Sequence, residues 1–155
     1  MKRDIGTVRV NATRELSVDA IAGAFRALGF NVHQTDRMRG RVVAVAAAPT
    51  PLSMDEWDRA SAVEAPRMRA IARETLPVTS LFMTLHDDEV QVHAAAAVES
   101  AGGGATVTIE YTIVDEKAQR YGIRGAEQAP PAMARIGYQK AWREFNNQLT
   151  VAQNK

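Results

Sequence analysis

Three histidines, His33, His86 and His93, are the side chains of this 155-residue chain best suited to acid–base work or metal binding near neutral pH. His86 heads the run His86-Asp87-Asp88-Glu89, where one imidazole and three carboxylates offer ligands for a hard cation. Successive side chains of an extended chain point to opposite sides, so the run reads first as a hairpin turn, with a cation site as the alternative. His33 and His93 fall out of phase with the apolar residues around them, which turns them away from the core. The absence of cysteine removes thiolate nucleophiles and disulfides and leaves the redox compartment open. No nucleophile elbow, phosphate-binding loop, dinucleotide fingerprint or His-Glu-x-x-His helix occurs. The 18 acidic residues carry no spacing that marks two of them as an acid–base pair. The expectation is a protein that is not an enzyme, with no catalytic residue, cofactor or metal.

Two other groups could make contacts. Arg37, Arg39 and Arg41 surround Gly40 and form a basic hairpin tip. Charges there solvate a sheet edge and protect it from pairing; the alternative is contact with a phosphate or a lipid headgroup. Trp57 stands among Asp55, Glu56, Asp58 and Arg59. It either anchors its helix to the sheet or presents an aromatic contact to a partner. The net charge of +1 hides a gradient: residues 1–42 hold 8 basic and 4 acidic side chains, residues 85–127 hold 3 and 8. Such a gradient can orient a partner. The basic residues form no dense patch interleaved with aromatics, so nucleic acid is not expected.

The elements that would position these residues follow from periodicity. Val8, Val10 and Ala12 alternate as a half-buried strand does. Ser17 is the expected N-cap of a helix in which Val18, Ile21, Phe25 and Leu28 form one stripe, ended by Gly29. A strand over 31–37, a turn at Met38-Arg39-Gly40 and a strand over 41–48 follow. The second strand is apolar on both faces, so cover on both sides is expected, from helices, a second sheet or another subunit. Ser53 and Glu56 have the spacing of a capping box, and Pro66 divides a helical connector over 53–76. Leu81, Met83 and Leu85, then Val90 to Val98, then Val107 to Ile113 alternate as an antiparallel meander, with a weaker strand over 118–124. After a flexible link from Gly125 to Pro131, a closing helix carries Ala134, Tyr138, Ala141, Trp142, Phe145 and Leu149 on one stripe. The alanines at 44–48 and 94–97 leave room for that helix to approach the sheet.

The order helix, Leu28-Gly29-Phe30, strand, Asp36-Arg37-Met38-Arg39-Gly40, apolar strand resembles a module of bacterial envelope lipoproteins. It is similar to the helix-grip domains of the C subunit of the outer-membrane β-barrel assembly complex. Uncharacterised lipoproteins of like size end in a helix patterned as Tyr138, Trp142 and Phe145 are here. The likeness covers residues 17–48 fairly, 78–149 loosely and 49–77 not at all. It implies a periplasmic or outer-membrane-associated setting and a role in binding or assembly, and supplies no functional residue. Such proteins carry a lipidated cysteine, and this sequence has none.

The expected fold is therefore a single α+β domain over 1–155: an antiparallel sheet with an N-terminal and a C-terminal helix on one face. No run of apolar residues is long enough to span a membrane as a helix, and the N-terminus as given has no apolar core of a signal peptide. The leading function is a non-enzymatic, envelope-associated binding or assembly module whose partner is another protein or an envelope component. Its candidate contacts are Arg37, Arg39, Arg41 and Trp57. A carrier of a lipid or small apolar ligand is the alternative, in a cavity lined by Phe25, Tyr111, Tyr138 and Phe145. An enzyme of unrecognised type is a third. Homo-oligomerisation would supply the second cover for strand 41–48.

Overall fold

The computed structural model describes residues 5–60, 62–63, 90–115, 126–128 and 131–154. Strand β1 (Thr7–Val10) leads into helix α1 (Arg14–Ala27), which begins one turn earlier than the expected Ser17 cap. Thr13 is the cap instead. Its backbone is extended (φ −66°, ψ 159°) and its Oγ1 accepts the Leu16 N–H at 3.1 Å. Ser17 lies fully buried inside the helix, where its hydroxyl donates to the Thr13 carbonyl at 2.7 Å. That bond back along the helix satisfies a hydroxyl water cannot reach.

Helix α1 ends as Gly29 predicts. Gly29 takes φ +99°, its N–H donates to the Arg26 carbonyl at 3.1 Å, and the Phe30 N–H donates to the Phe25 carbonyl at 2.9 Å. These two bonds form a Schellman motif, and the accompanying apolar contact is Phe25 against Phe30, ring centroids 5.7 Å apart. The chain then turns back through β2 (Asn31–Asp36) and β3 (Arg41–Ala47). The capping box forms as its spacing predicts. The Ser53 N–H donates to Glu56 Oε1 at 2.8 Å, and the Glu56 N–H donates to Ser53 Oγ at 3.1 Å. A helix over 54–60, α2, follows it.

The long strands β4 (Val90–Ala101) and β5 (Gly104–Asp115) complete the sheet with short β6 (Ala126–Gln128), and α3 (Pro131–Gln153) closes the chain. Strand order is β1-β5-β4-β3-β2, with every pairing antiparallel. Strands β1 and β6 share the outer edge of β5, along residues 105–108 and 112–114 respectively. The link expected from Gly125 is thus a strand over 126–128, because three backbone pairs to β5 fix it. The strands expected around 81–85 and 118–124, the turn at 86–89 and the helix after Pro66 lie outside the described residues.

The fold is the two-layer α+β arrangement expected. Val42, Ala44 and Ala46 of β3, Val92, Ala94, Ala96 and Val98 of β4, and Val107, Ile109 and Tyr111 of β5 bury one sheet face, together with Phe25 of α1 and Phe145 of α3. Small residues stand opposite large ones across the strands: Ala94 pairs with Tyr111, and Ala96 with Ile109. Such alternation lets helices bearing bulky rings settle on the sheet. The helices also touch each other closely. A β-carbon on Gly23 of α1 would lie 2.7 Å from Gln148 Oε1 of α3.

The outer face differs. Val43, Val45 and Ala95 are half-buried there, while Ala47 and Ala97 are exposed. Among the described residues, the cover expected over both faces of strand 41–48 is found on the helix side. Helix α2 does not supply the second cover, since Trp57 and Ala60 cluster with Val90, Ile113 and Met133, on the side of α3.

Candidate functional site

The turn between β2 and β3 gathers the three expected arginines, and the order of residues explains how it is held. Gly40 takes φ +66°, and a β-carbon there would come within 2.0 Å of the Val98 carbonyl oxygen. Only glycine allows that approach. The Gly40 carbonyl in turn accepts the Val98 N–H at 2.7 Å, which pins the turn to β4. Asp36 Oδ1 accepts the Arg39 N–H at 2.9 Å, an Asx-type turn bond. Arg37 reaches across to α1 and grips Asp19 with two bonds, Nε to Oδ1 at 2.9 Å and Nη2 to Oδ2 at 2.8 Å. The fork geometry fixes direction, although both side chains are largely in water, so the pair contributes ~1 kcal/mol at most.

Two side chains remain outside this clamp. Met38 is 83% exposed and Arg39 is 85% exposed, with only a 3.9 Å contact to Asp36. Arg41 is exposed and sits opposite Asp36 and Ala97, on the outer face of the sheet. Met38 was not among the expected contacts. Its visible sign was an apolar residue at the centre of an arginine turn, where no neighbour in the chain could bury it.

Trp57 is not part of this surface. It is 4% exposed and packs in the cluster with Leu52, Val90, Ile113 and Met133, taking the anchor role. Its helix is also tied by charge. Lys140 Nζ of α3 donates to Glu56 Oε1 and, at 3.0 Å, to the Pro51 carbonyl. Burial works against ionisation of Glu56, but the Lys140 ammonium and the Ser53 N–H outweigh it and hold the carboxyl below its ordinary value.

Among the described residues, the four expected to line a cavity are not gathered around one. Phe25 and Phe145 are fully buried in packed core, and Tyr111 is 3% exposed. Phe25, Phe30, Tyr111 and Tyr138 form a chain of ring contacts, at 5.7, 6.2 and 5.3 Å between centroids. The Tyr111 hydroxyl donates to the Gly137 carbonyl at 3.1 Å, and burial, with Tyr138 nearby, pushes its phenol up. Tyr111 borders an apolar space of about 20 Å³ beside Pro51, Trp57, Met133 and Gly137. That volume suits about one water molecule, far short of a lipid chain.

The two described histidines sit on different strands. His33 is exposed at a bulge in β2, and His93 is half-buried on the outer face between Val45 and Thr112. Among the described residues no three His, Asp or Glu side chains come together as metal ligands would, and the His86–Glu89 run lies outside them. No helix among the described residues is long and apolar enough to cross a membrane. No protein-family model matches this chain, and no curated protein or solved structure is significantly similar to it.

Proposed function

We propose that this protein is a non-enzymatic binding or assembly module of the bacterial cell envelope, and that it meets a protein partner at the β2–β3 tip. One observation carries the reading: the turn is held from three sides, yet it projects Met38 and Arg39 into water, 83% and 85% exposed. Ordering a loop before contact removes an entropic cost of binding. An exposed apolar residue next to a cation provides both a burial term and a charge term to an acidic partner surface. The envelope setting rests on the resemblance of residues 17–48 and 78–149 to envelope lipoproteins.

The test is native mass spectrometry of the protein purified gently from its own host, beside a Met38→Asp/Arg39→Glu variant with an unchanged far-UV circular dichroism spectrum. The expected result is a stoichiometric protein partner on the unaltered chain, absent from the variant, with both recovered in the envelope fraction. A bare chain, a retained lipid, or a partner that ignores the tip substitutions would sink the proposal.

A further inference from the structure

The two edges of the sheet are treated differently by the chain. Strands β1 and β6 run along the outer edge of β5, whereas no described strand lies along the outer edge of β2. Asn31, His33, Gln34 and Thr35 are all exposed, and among the described residues no strand pairs with that edge. A bare edge is a template for another strand unless something blocks it, and a bulge is one of the usual blocks.

β2 has such a bulge, between Val32 and Gln34, but here it does something else as well. In a regular strand, residues three apart point to opposite faces. Across this bulge they do not. Val32 stands opposite Ala44 and Thr35 opposite Val42, both toward the helices, while Asn31, Gln34 and Asp36 stand opposite Val45, Val43 and Arg41 on the outer face.

That shift makes the strand self-complementary. Place a two-fold axis perpendicular to the sheet between His33 and Gln34, and run two copies of β2 antiparallel. Val32 then meets Thr35 of the partner subunit on the helix side, a pair of β-branched residues of the same shape. Asn31 meets Asp36 of the partner subunit on the outer side, an amide donor against a carboxylate. His33 meets Gln34 of the partner subunit, and each pair recurs on the other side of the axis, as an isologous contact requires. Without the bulge, this register would set Val32 and Thr35 on opposite faces, and the two sheets could not continue each other.

We propose that the chain forms a homodimer in which the two sheets join edge to edge through antiparallel β2 strands in this register. The edge shares Asp36 with the tip, but Met38 and Arg39 lie outside the paired register and Thr35 lies outside the tip, so substitutions at Met38 and Arg39 or at Thr35 test the two surfaces separately.

The absence of native cysteine allows a clean test of register. Residues 31 and 36 are about 16 Å apart along one strand, five steps of about 3.3 Å. A disulfide needs α-carbons within about 7 Å, so neither position can bridge to itself across the axis. Mixed Asn31→Cys and Asp36→Cys proteins are expected to form a disulfide dimer on mild oxidation, and each variant alone to form none. Sedimentation equilibrium of the unaltered chain is expected to show a concentration-dependent rise from 16.9 kDa to twice that mass. Thr35→Lys, a charge added to an exposed edge position, is expected to move the dissociation midpoint at least about tenfold toward higher concentration. Its dilute melting curve should stay unchanged. A mass of one chain at all concentrations overturns the proposal. So does a dimer whose mixed cysteines do not link, in which Asn31→Cys links to itself, or which Thr35→Lys leaves unaffected.

Discussion

Two apolar clusters lie under the same face of the sheet, and they are built by different means. The larger joins α1 and α3 to strands β1 to β5 around Phe25 and Phe145, both fully buried. The smaller seats α2 through Leu52, Trp57 and Ala60 on Val90, Ile113 and Met133, and borders the 20 Å³ gap. Long helices with an unbroken stripe can interleave with alanine-rich strands along their whole length. A short helix that enters through a proline-containing connector has one large side chain to place, and it adds a polar fastening, Ser53-Glu56-Lys140, to hold its position. The difference suggests that the main cluster carries global stability and the smaller one carries the attachment of a single element.

The largest test of that contrast is truncation in the main cluster. Phe145→Ala is expected to destabilise the fold by about 3–5 kcal/mol, the usual cost of removing a buried ring, read from the urea midpoint at constant slope. Trp57→Ala should cost about 2–3 kcal/mol, toward the low end for so large a side chain because the neighbouring gap lets the site relax. Near-UV circular dichroism should lose the Trp57 signal while far-UV signal persists. An equal loss from both substitutions would mean that the two clusters are energetically one.

How far the sequence foretold this arrangement depends on how local each cause is. Gly29, Gly40 and the Ser53–Glu56 box act within a few residues, and all three do what their spacing predicts. The stripes of α1 and α3 and the alternation over 90–98 and 107–113 are equally local patterns, and they placed the core correctly. The start of α1 was missed because Thr13 and Ser17 are both good caps. Only the packing that buries Ser17 decides between them. The three residues of β6 carry no period of their own and so read as a link; pairing with β5 makes them a strand. The bulge at His33 is set by the pairing of β2 with β3, and no single-sequence pattern marks it. Trp57 reads first as an anchor and second as a partner contact, and its packing against Met133 of α3 supplies the anchor role.

A smaller effect concerns the polar fastening. Glu56 has a folded-state value below the ordinary 4.5, so its contribution is present above that value and is lost as pH falls through the lower, folded one. The Lys140 and Glu56 side chains are 29% and 27% exposed, which limits the pair to about 1 kcal/mol. Lys140→Met is expected to cost about that much near neutral pH and to flatten the acid limb of the stability profile. A Glu56→Gln/Lys140→Met cycle would isolate the coupling. No change in the acid limb would mean that the capping bonds to Ser53, and not Lys140, hold Glu56 ionised.

The finest distinction between the clusters is the gap itself. Val92 borders it, while Val98 is 2% exposed in the filled half of the same strand. One added methylene should therefore have opposite effects at the two sites. Val92→Ile can direct its extra carbon into an apolar space and is expected to stabilise by about 0.5 kcal/mol, as cavity filling commonly does. Val98→Ile must displace packed neighbours and should destabilise by about 1 kcal/mol. Both residues lie on β4, so strand propensity cancels between them and the sign difference reports packing alone. Destabilisation by both would mean that the space beside Tyr111 and Met133 is too shallow for a methyl group, and that the smaller cluster is as full as the larger.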